Sequence, residues 1–391
     1  MKFDEIVDLS LSFWLNDMAK ATTICLLGPP GIGKSAVGKT LAARMTVAAR
    51  GKGASESAVC EVVDLSSRAP EDISGLPFKG NELGFGSVTD YAPQRWLARL
   101  CQDGVYGVLI LDDLPAASPA VQVATRQLAL DRRVGDKHLS PNVILIVTGN
   151  RREDKSAATT LPAHFRNSVM MLDLQVDLDE WCAWYGGQEG HAPVIASFLR
   201  RRPALLSGLP SNSDSRGAFP TPRAWTKLGS VYDIAERRRV VLPVAEGLVG
   251  EGAAAEFVAF TNIRRELASV SSVLLDPKAT LPFPDRELSM PDRIYALVSG
   301  MGETAVQWAK GHKDPKVQRQ APLMFIKALS WVAQGNMEYV SVGLAVYRDN
   351  AGKELMNDFL RVARENRNDL DVQRLTTYLA SVWVKETSDA A

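Results

Sequence analysis

The chain has no excess charge of either sign: 45 Lys and Arg balance 45 Asp and Glu, and the formal net charge is zero. Composition therefore advertises neither a basic nucleic-acid surface nor an acidic tail. No apolar run approaches the length of a membrane span. The opening residues, MKFDEIVDLS, carry acids where a secretory leader needs bases followed by an apolar stretch. Cysteine is scarce, and Cys25, Cys60, Cys101 and Cys182 are scattered without metal-ligand spacing. Cys25 and Cys60 fall within strand-like runs and read as buried thiols. His138, His164, His191 and His312 are isolated, so no catalytic or metal role attaches to them. Internal repeats, low-complexity tracts and sustained heptads are also missing. What remains is a globular chain of 391 residues, long enough for two or three domains, with a reducing, cytoplasmic setting as the expectation.

One stretch stands out. Residues 23–35, TICLLGPPGIGKS, are a β-branched and apolar run, then a Gly/Pro loop closed by Lys34 and Ser35, then the helix-forming SAVGKTLAARM. This is the phosphate-binding pattern G-x-x-x-x-G-K-[ST] in its required strand–loop–helix setting. Glycines let backbone N–H groups approach an anion closely, and the helix beginning at Lys34 turns its positive dipole end toward it. The cradle comprises Gly28, Pro29, Pro30, Gly31, Ile32, Gly33, Lys34, Ser35 and Ala36. Lys34 is placed to reach the β- and γ-phosphates of a nucleoside triphosphate, and the Ser35 hydroxyl to ligate Mg²⁺.

The first part of the chain alternates strand-like and helix-like segments. Strands are expected at Thr23–Leu27, Cys60–Leu65, Gly107–Asp112, Val143–Thr148 and Val169–Leu174. Most are short apolar runs, as strands covered on both faces by helices should be. Helices are expected at Phe3–Lys20, Ser35–Arg50, Gln94–Gln102 and Pro119–Asp131, and the alternation argues for a parallel α/β sheet. Beyond Val176 the strand signal fades into helices at Asp179–Tyr185, Val194–Arg201, Pro222–Arg237 and Gly252–Glu266. Loops are expected over Ser207–Thr221 and Asp276–Pro291, with Thr221 and Pro222 well suited to open a helix. The last helical region has segments at Pro322–Ala333, Asn336–Arg348 and Glu354–Val384. The expected division is an α/β domain over 1–175, a helical lid over 176–268 and a helical C-terminal interaction domain over 269–391.

Two further strand ends carry polar groups. VLILDD delivers Asp112 and Asp113 at the carboxyl end of a buried strand, where ligands of such sheets bind. Asp112 is the candidate metal holder beside Ser35, and Asp113 the candidate for polarising an attacking water. VILIVTGN ends in Thr148 and Asn150, and the Asn150 amide can orient that water or simply cap a turn.

Taken together, GPPGIGKS, LILDD followed by LPAASPAVQ, the strand ending TGN, LPAHFRNS and TPRAW resemble the AAA+ ATPases, and within them the MoxR-like branch of bacterial or phage type. The resemblance spans about residues 20–240. It implies Walker A roles for Lys34 and Ser35, Walker B roles for Asp112 and Asp113, and the sensor 1 role for Asn150. It places Arg223 at sensor 2, contacting the γ-phosphate from the lid, and Arg166 as the arginine finger that completes a neighbouring subunit's site. A ring, usually hexameric, follows from such a finger, and relatives act as chaperone-like motors, commonly with a partner carrying a von Willebrand A domain. Two departures matter. The family has Asp-Glu where this chain has Asp112-Asp113, and an acid one methylene shorter implies slow turnover. The finger often sits in Asn-Arg-Phe, whereas the order here is Phe165-Arg166-Asn167, so Arg151 and Arg152 are rivals.

Ile73–Trp96, with Phe78, Phe85 and Tyr91, suits either a hairpin facing the central pore, as the resemblance implies, or a connecting loop. Gly186-Gly187-Gln188 reads as a turn, and Arg200–Arg202 and Arg237–Arg239 as solvated helix ends. The expected activity is ATP hydrolysis coupled to remodelling a partner protein. The alternatives are an ATP-gated assembly module with weak turnover and a nucleic-acid-acting AAA+ motor.

Overall fold

Strands with apolar side chains on both faces dominate the first part of the chain and assemble into one parallel sheet. The computed structural model describes residues 1–82, 86–154, 161–188, 190–208, 217–266, 269–282, 284, 291–333, 336–373 and 375. The chain forms two compact units, Met1–Asp177 and the residues from Leu178 onward. The first runs α1 (Phe3–Leu15), β1 (Ile24–Leu27), α2 (Lys34–Arg50), β2 (Val59–Asp64), α3 (Glu71–Ser74), β3 (Leu76–Glu82), β4 (Gly86–Ala92) and α4 (Arg95–Leu100). It continues with β5 (Tyr106–Asp112), α5 (Pro119–Asp131), β6 (Arg133–Val134), β7 (Lys137–His138), β8 (Asn142–Gly149), α6 (Ala163–Arg166) and β9 (Met170–Asp173).

The five-stranded sheet has the order β2-β5-β8-β1-β9, with every neighbouring pair parallel. This is the α/β class expected from the strand–helix alternation. Period-2 alternation splits each central strand between two cores. Val108, Ile110, Ile144 and Ile146 join Ile6, Val37 and Leu41 on the face covered by α1 and α2. Leu109, Leu111, Leu145 and Val147 join Leu97, Val121 and Leu128 on the face covered by α4 and α5. Helix α2 lies so close to the sheet that a Cβ on Gly38 would sit 2.4 Å from Ile110 Cδ1. That close seating fixes Lys34 and Ser35 over the carboxyl ends of the strands.

One local expectation changes and one open alternative is decided. Helix α1 stops at Leu15 rather than Lys20, because Asn16 folds its side chain back on the Ser12 carbonyl and Asp17 turns left-handed at φ 58°. Of the two alternatives for Ile73–Trp96, the hairpin is the one found: β3 (Leu76–Glu82) and β4 (Gly86–Ala92) pair antiparallel. Phe78 and Tyr91 on it are about half exposed, and Phe85 lies outside the described residues.

The second unit is helical, with no strand among its described residues. It contains α7 (Leu178–Gly186), α8 (Pro193–Arg201), α9 (Pro222–Arg238), α10 (Val241–Val249), α11 (Glu251–Glu266), α12 (Val270–Leu275), α13 (Pro277–Thr280), α14 (Pro291–Gly311), α15 (Pro315–Ala333) and α16 (Met337–Glu365). Rings of Phe198, Trp225, Phe257 and Phe260 pack edge-on or tilted against one another. Farther along, Phe325 stacks on Tyr347, which meets Phe359. Helix α15 runs through Pro322 instead of starting there: the proline is buried in the core, which offsets the N–H it cannot donate. Helix α16 covers the expected Asn336–Arg348 segment, kinks at Gly352, φ 72°, and ends at Glu365 rather than running on, with the Asn366 side chain folded back on the Val362 carbonyl. Residue 374 and residues 376–384 of the expected Glu354–Val384 segment lie outside the described residues, as do 209–216 of the expected Ser207–Thr221 loop.

Arg200–Arg202 are ion-paired rather than free in solvent, contrary to expectation, although the Arg202 side chain stays partly exposed. Arg200 is largely buried and pairs with Asp179 and Asp349, Arg201 pairs with Asp292 and lies over the Tyr295 ring, and Arg202 pairs with Glu256. Long-range carboxylates, invisible in a local window, consume these cations. Arg237–Arg239 are exposed, as expected. No helix among the described residues is long and apolar enough to cross a membrane.

Candidate nucleotide site

The loop between β1 and α2 turns tightly because its glycines take backbone conformations closed to other residues. Gly28 has φ 155°, and a Cβ there would meet Ile32 Cδ1 at 2.7 Å and the Leu174 carbonyl at 3.0 Å. Gly33, at φ 104°, heads the 17-residue helix α2, whose first amides have no partner within the helix and face the loop. Pro29, Pro30, Gly31 and Ile32 complete the loop, and Ala36 lies exposed on the first turn.

Lys34 folds over this cradle. Its ammonium donates to the carbonyls of Gly28 at 2.7 Å and Pro29 at 2.8 Å, and to Asn150 Oδ1 at 2.7 Å. Ser35 Oγ donates to the Asp112 carboxylate, 2.8 Å from both oxygens. The structure thus brings Lys34, Ser35, Asp112 and Asn150 together at one end of the sheet, from three separate stretches of sequence. A serine hydroxyl facing a carboxylate is a hard oxygen set of the kind Mg²⁺ takes. The residues present fit a nucleoside triphosphate with its magnesium.

Asp113 directly follows the strand. Its backbone is left-handed, φ 58° and ψ 42°, and its N–H donates to Thr148 Oγ1 at 3.1 Å. Its Oδ1 is buried and accepts no hydrogen bond. Burial, reinforced by the Asp112 charge, raises the proton affinity of this carboxyl above the ordinary range, with Lys34 opposing and Asp64 adding. An under-solvated carboxylate beside the cradle has the chemistry of a base that polarises water.

Arg166 ends α6 and is exposed; Arg223 is exposed on the first turn of α9, in the second unit. Neither has an ion-pair partner among the described residues. The Thr221 hydroxyl caps α9 by accepting from the Ala224 N–H, and the adjacent Trp225 is fully buried with its indole N–H on the Leu205 carbonyl. This anchoring turns Arg223 outward. The rival Arg151 is engaged instead, paired with the buried Asp154 and with Glu153. The side chain of Arg152 lies outside the described residues.

The place of Asp64 and the partners of Thr148 escape local sequence reading. Asp64 ends β2 in register with Asp112, bringing a third carboxylate to this end of the sheet. Thr148 is buried in β8, between the Asp112 strand and the Leu26 position of β1. The signal for Thr148 is a lone hydroxyl in an otherwise apolar strand.

No protein-family model matches this sequence, and no curated protein matches it. Among solved structures, the chain is similar to the RuvB Holliday junction branch migration motor of Thermotoga maritima, at 16% identity over 74% of this chain and 82% of that one, TM-score 0.34. It is similar to the ORC2 protein of Aeropyrum pernix, at 11% identity over 92% and 94%, TM-score 0.37. PCH-2 of C. elegans is a third, at 13% identity over 68% and 69%, TM-score 0.33.

Proposed function

We propose that the first unit binds ATP with Mg²⁺ and hydrolyses it in a ring of identical subunits, and that the cycle remodels or matures a partner protein. The observation that carries this reading is the convergence of Lys34, Ser35, Asp112 and Asn150 at the mouth of the glycine loop. Lys34 and the first amides of α2 bind the phosphates. Ser35 and Asp112 hold the metal, which when bound neutralises phosphate charge. Asn150 and Asp113 position and polarise the attacking water. Arg166 supplies positive charge to the site of the adjacent subunit, and Arg223 supplies it from the helical unit. The exposed Phe78 and Tyr91 on the β3–β4 hairpin offer grip on a polypeptide client, and a partner carrying a von Willebrand A domain is the expected adaptor.

A second reading is an ATP-gated assembly module with weak turnover. The observation favouring it is Asp113 itself, one methylene shorter than glutamate and held in a left-handed turn. Imaging the Asp113→Asn variant with ATP and Mg²⁺ tests the ring. Closed rings with Arg166 at the neighbouring γ-phosphate support the proposal, and monomers under those conditions overturn it. Steady-state turnover of the wild-type chain separates the motor from the module.

A further inference from the structure

Three consecutive residues at the end of β8 act on three different parts of the site. Thr148 Oγ1 donates to Asp112 Oδ1 and accepts from the Asp113 N–H. Gly149 presents a bare Cα to Pro115; a Cβ there would lie 2.4 Å from Pro115 Cγ. Asn150 takes the Lys34 ammonium. The chain after β5 is therefore held by its neighbouring strand as well as by its own turn, in which the Ala116 N–H donates to the Asp113 carbonyl.

We infer that Thr148 is the positioning residue for both aspartates, setting the direction of the Asp112 carboxylate and the left-handed turn of Asp113. This rests on the reading of the site as a hydrolytic nucleotide site. Thr148 is 1% exposed and its strand neighbours Ile146 and Val147 are fully buried. Packing alone is satisfied by valine, which has nearly the same shape, so the hydroxyl is explained by its two hydrogen bonds. A left-handed backbone is uncommon outside glycine, less so for aspartate than for most residues, and a contact that fixes it decides whether the turn is held. The bond from the Asp113 N–H to Thr148 is such a hold. On the other side, the carboxylate of Asp112 is gripped by two hydroxyls, Ser35 from the helix and Thr148 from the sheet. When Ser35 turns toward a metal, Thr148 still keeps that carboxylate aimed at the loop mouth.

The test measures ADP affinity with and without Mg²⁺, and ATP turnover, for the wild type, Thr148→Val and Thr148→Ser. In Thr148→Val the metal-free ADP affinity stays within about twofold, because the cradle is untouched, while kcat falls about ten- to a hundredfold. The gain in ADP affinity on adding Mg²⁺ also shrinks, and Thr148→Ser restores both quantities to within about threefold of wild type. Should Thr148→Val fail to fold, Thr148→Ser against Thr148→Ala deletes the same hydroxyl in a smaller side chain. Wild-type turnover and magnesium coupling in the hydroxyl-free variants overturn the inference, and so does a serine variant as impaired as the valine one. A wild type that binds no nucleotide at all overturns the reading of the site itself.

Discussion

Asn150 Oδ1 lies 2.7 Å from Lys34 Nζ, so one hydrogen bond ties the first turn of α2 to the end of β8. The ammonium is held across the cradle by this amide and by two loop carbonyls. Lys34→Ala removes the charge that meets the phosphates and should weaken ATP binding by at least about tenfold in a calorimetric titration. Asn150→Ala leaves the cradle intact and should change affinity by less than about threefold while lowering kcat about ten- to a hundredfold. Equal losses of affinity in both variants would show that Asn150 only braces the lysine.

Asp113 should behave as a general base of limited reach. Asp113→Asn keeps ATP bound and lowers turnover by about a hundredfold or more. Asp113→Glu adds the missing methylene and should raise kcat above wild type. Rates unchanged or reduced in the glutamate variant would contradict the role given to this side chain.

The finger assignment makes a prediction about mixtures. Arg166→Ala and Lys34→Ala chains should each be inactive alone. Mixed in equal amounts, they should regain turnover, because some interfaces then pair an intact cradle with an intact arginine. Phosphate release from the mixture no greater than from either variant would remove Arg166 from the neighbour's site.

In the helical unit, Glu303 is 5% exposed, accepts from Ser197 Oγ at 2.7 Å, and pairs with both terminal nitrogens of Arg264. Truncating it leaves the arginine charge without its partner. Glu303→Ala should therefore destabilise this unit by about 3–5 kcal/mol in urea denaturation. A loss below about 1 kcal/mol would mean that the pair behaves as an exposed surface bridge.

Burial raises the thiols of Cys25 and Cys182 to about 12. The reactive thiolate is the deprotonated form, so at pH 8 each is populated at about one part in ten thousand. Alkylation of the native chain at pH 8, mapped by mass spectrometry, should spare these two cysteines, and denaturation should expose them. Raising the pH toward 12 favours reaction, and lowering it suppresses it.

The parts of this molecule readable in sequence are those whose determinants are contiguous. The glycine loop, Lys34 and Ser35 form one motif, and the apolar runs of β1, β5 and β8 announce a covered parallel sheet. Asp112 and Asn150 were readable as polar strand ends. What was hidden depends on register between strands distant in sequence. Thr148 reaches Asp112 and Asp113 only because β5 and β8 lie side by side, and Asp64 meets Asp112 for the same reason. The arginine run 200–202 misled because its partners include Asp349 and Asp292, well over fifty positions away. Pro322 misled because local preference favours a proline at a helix start, whereas burial in the core lets α15 continue through it.

The central claim is that ATP is hydrolysed at the Lys34 cradle. Its most direct test is phosphate release by the assembled wild-type chain at saturating ATP and Mg²⁺, measured beside Lys34→Ala under identical conditions. The expected result is steady turnover by the wild type, reduced by at least about a hundredfold in the variant. Equal phosphate release from the two proteins would contradict the account.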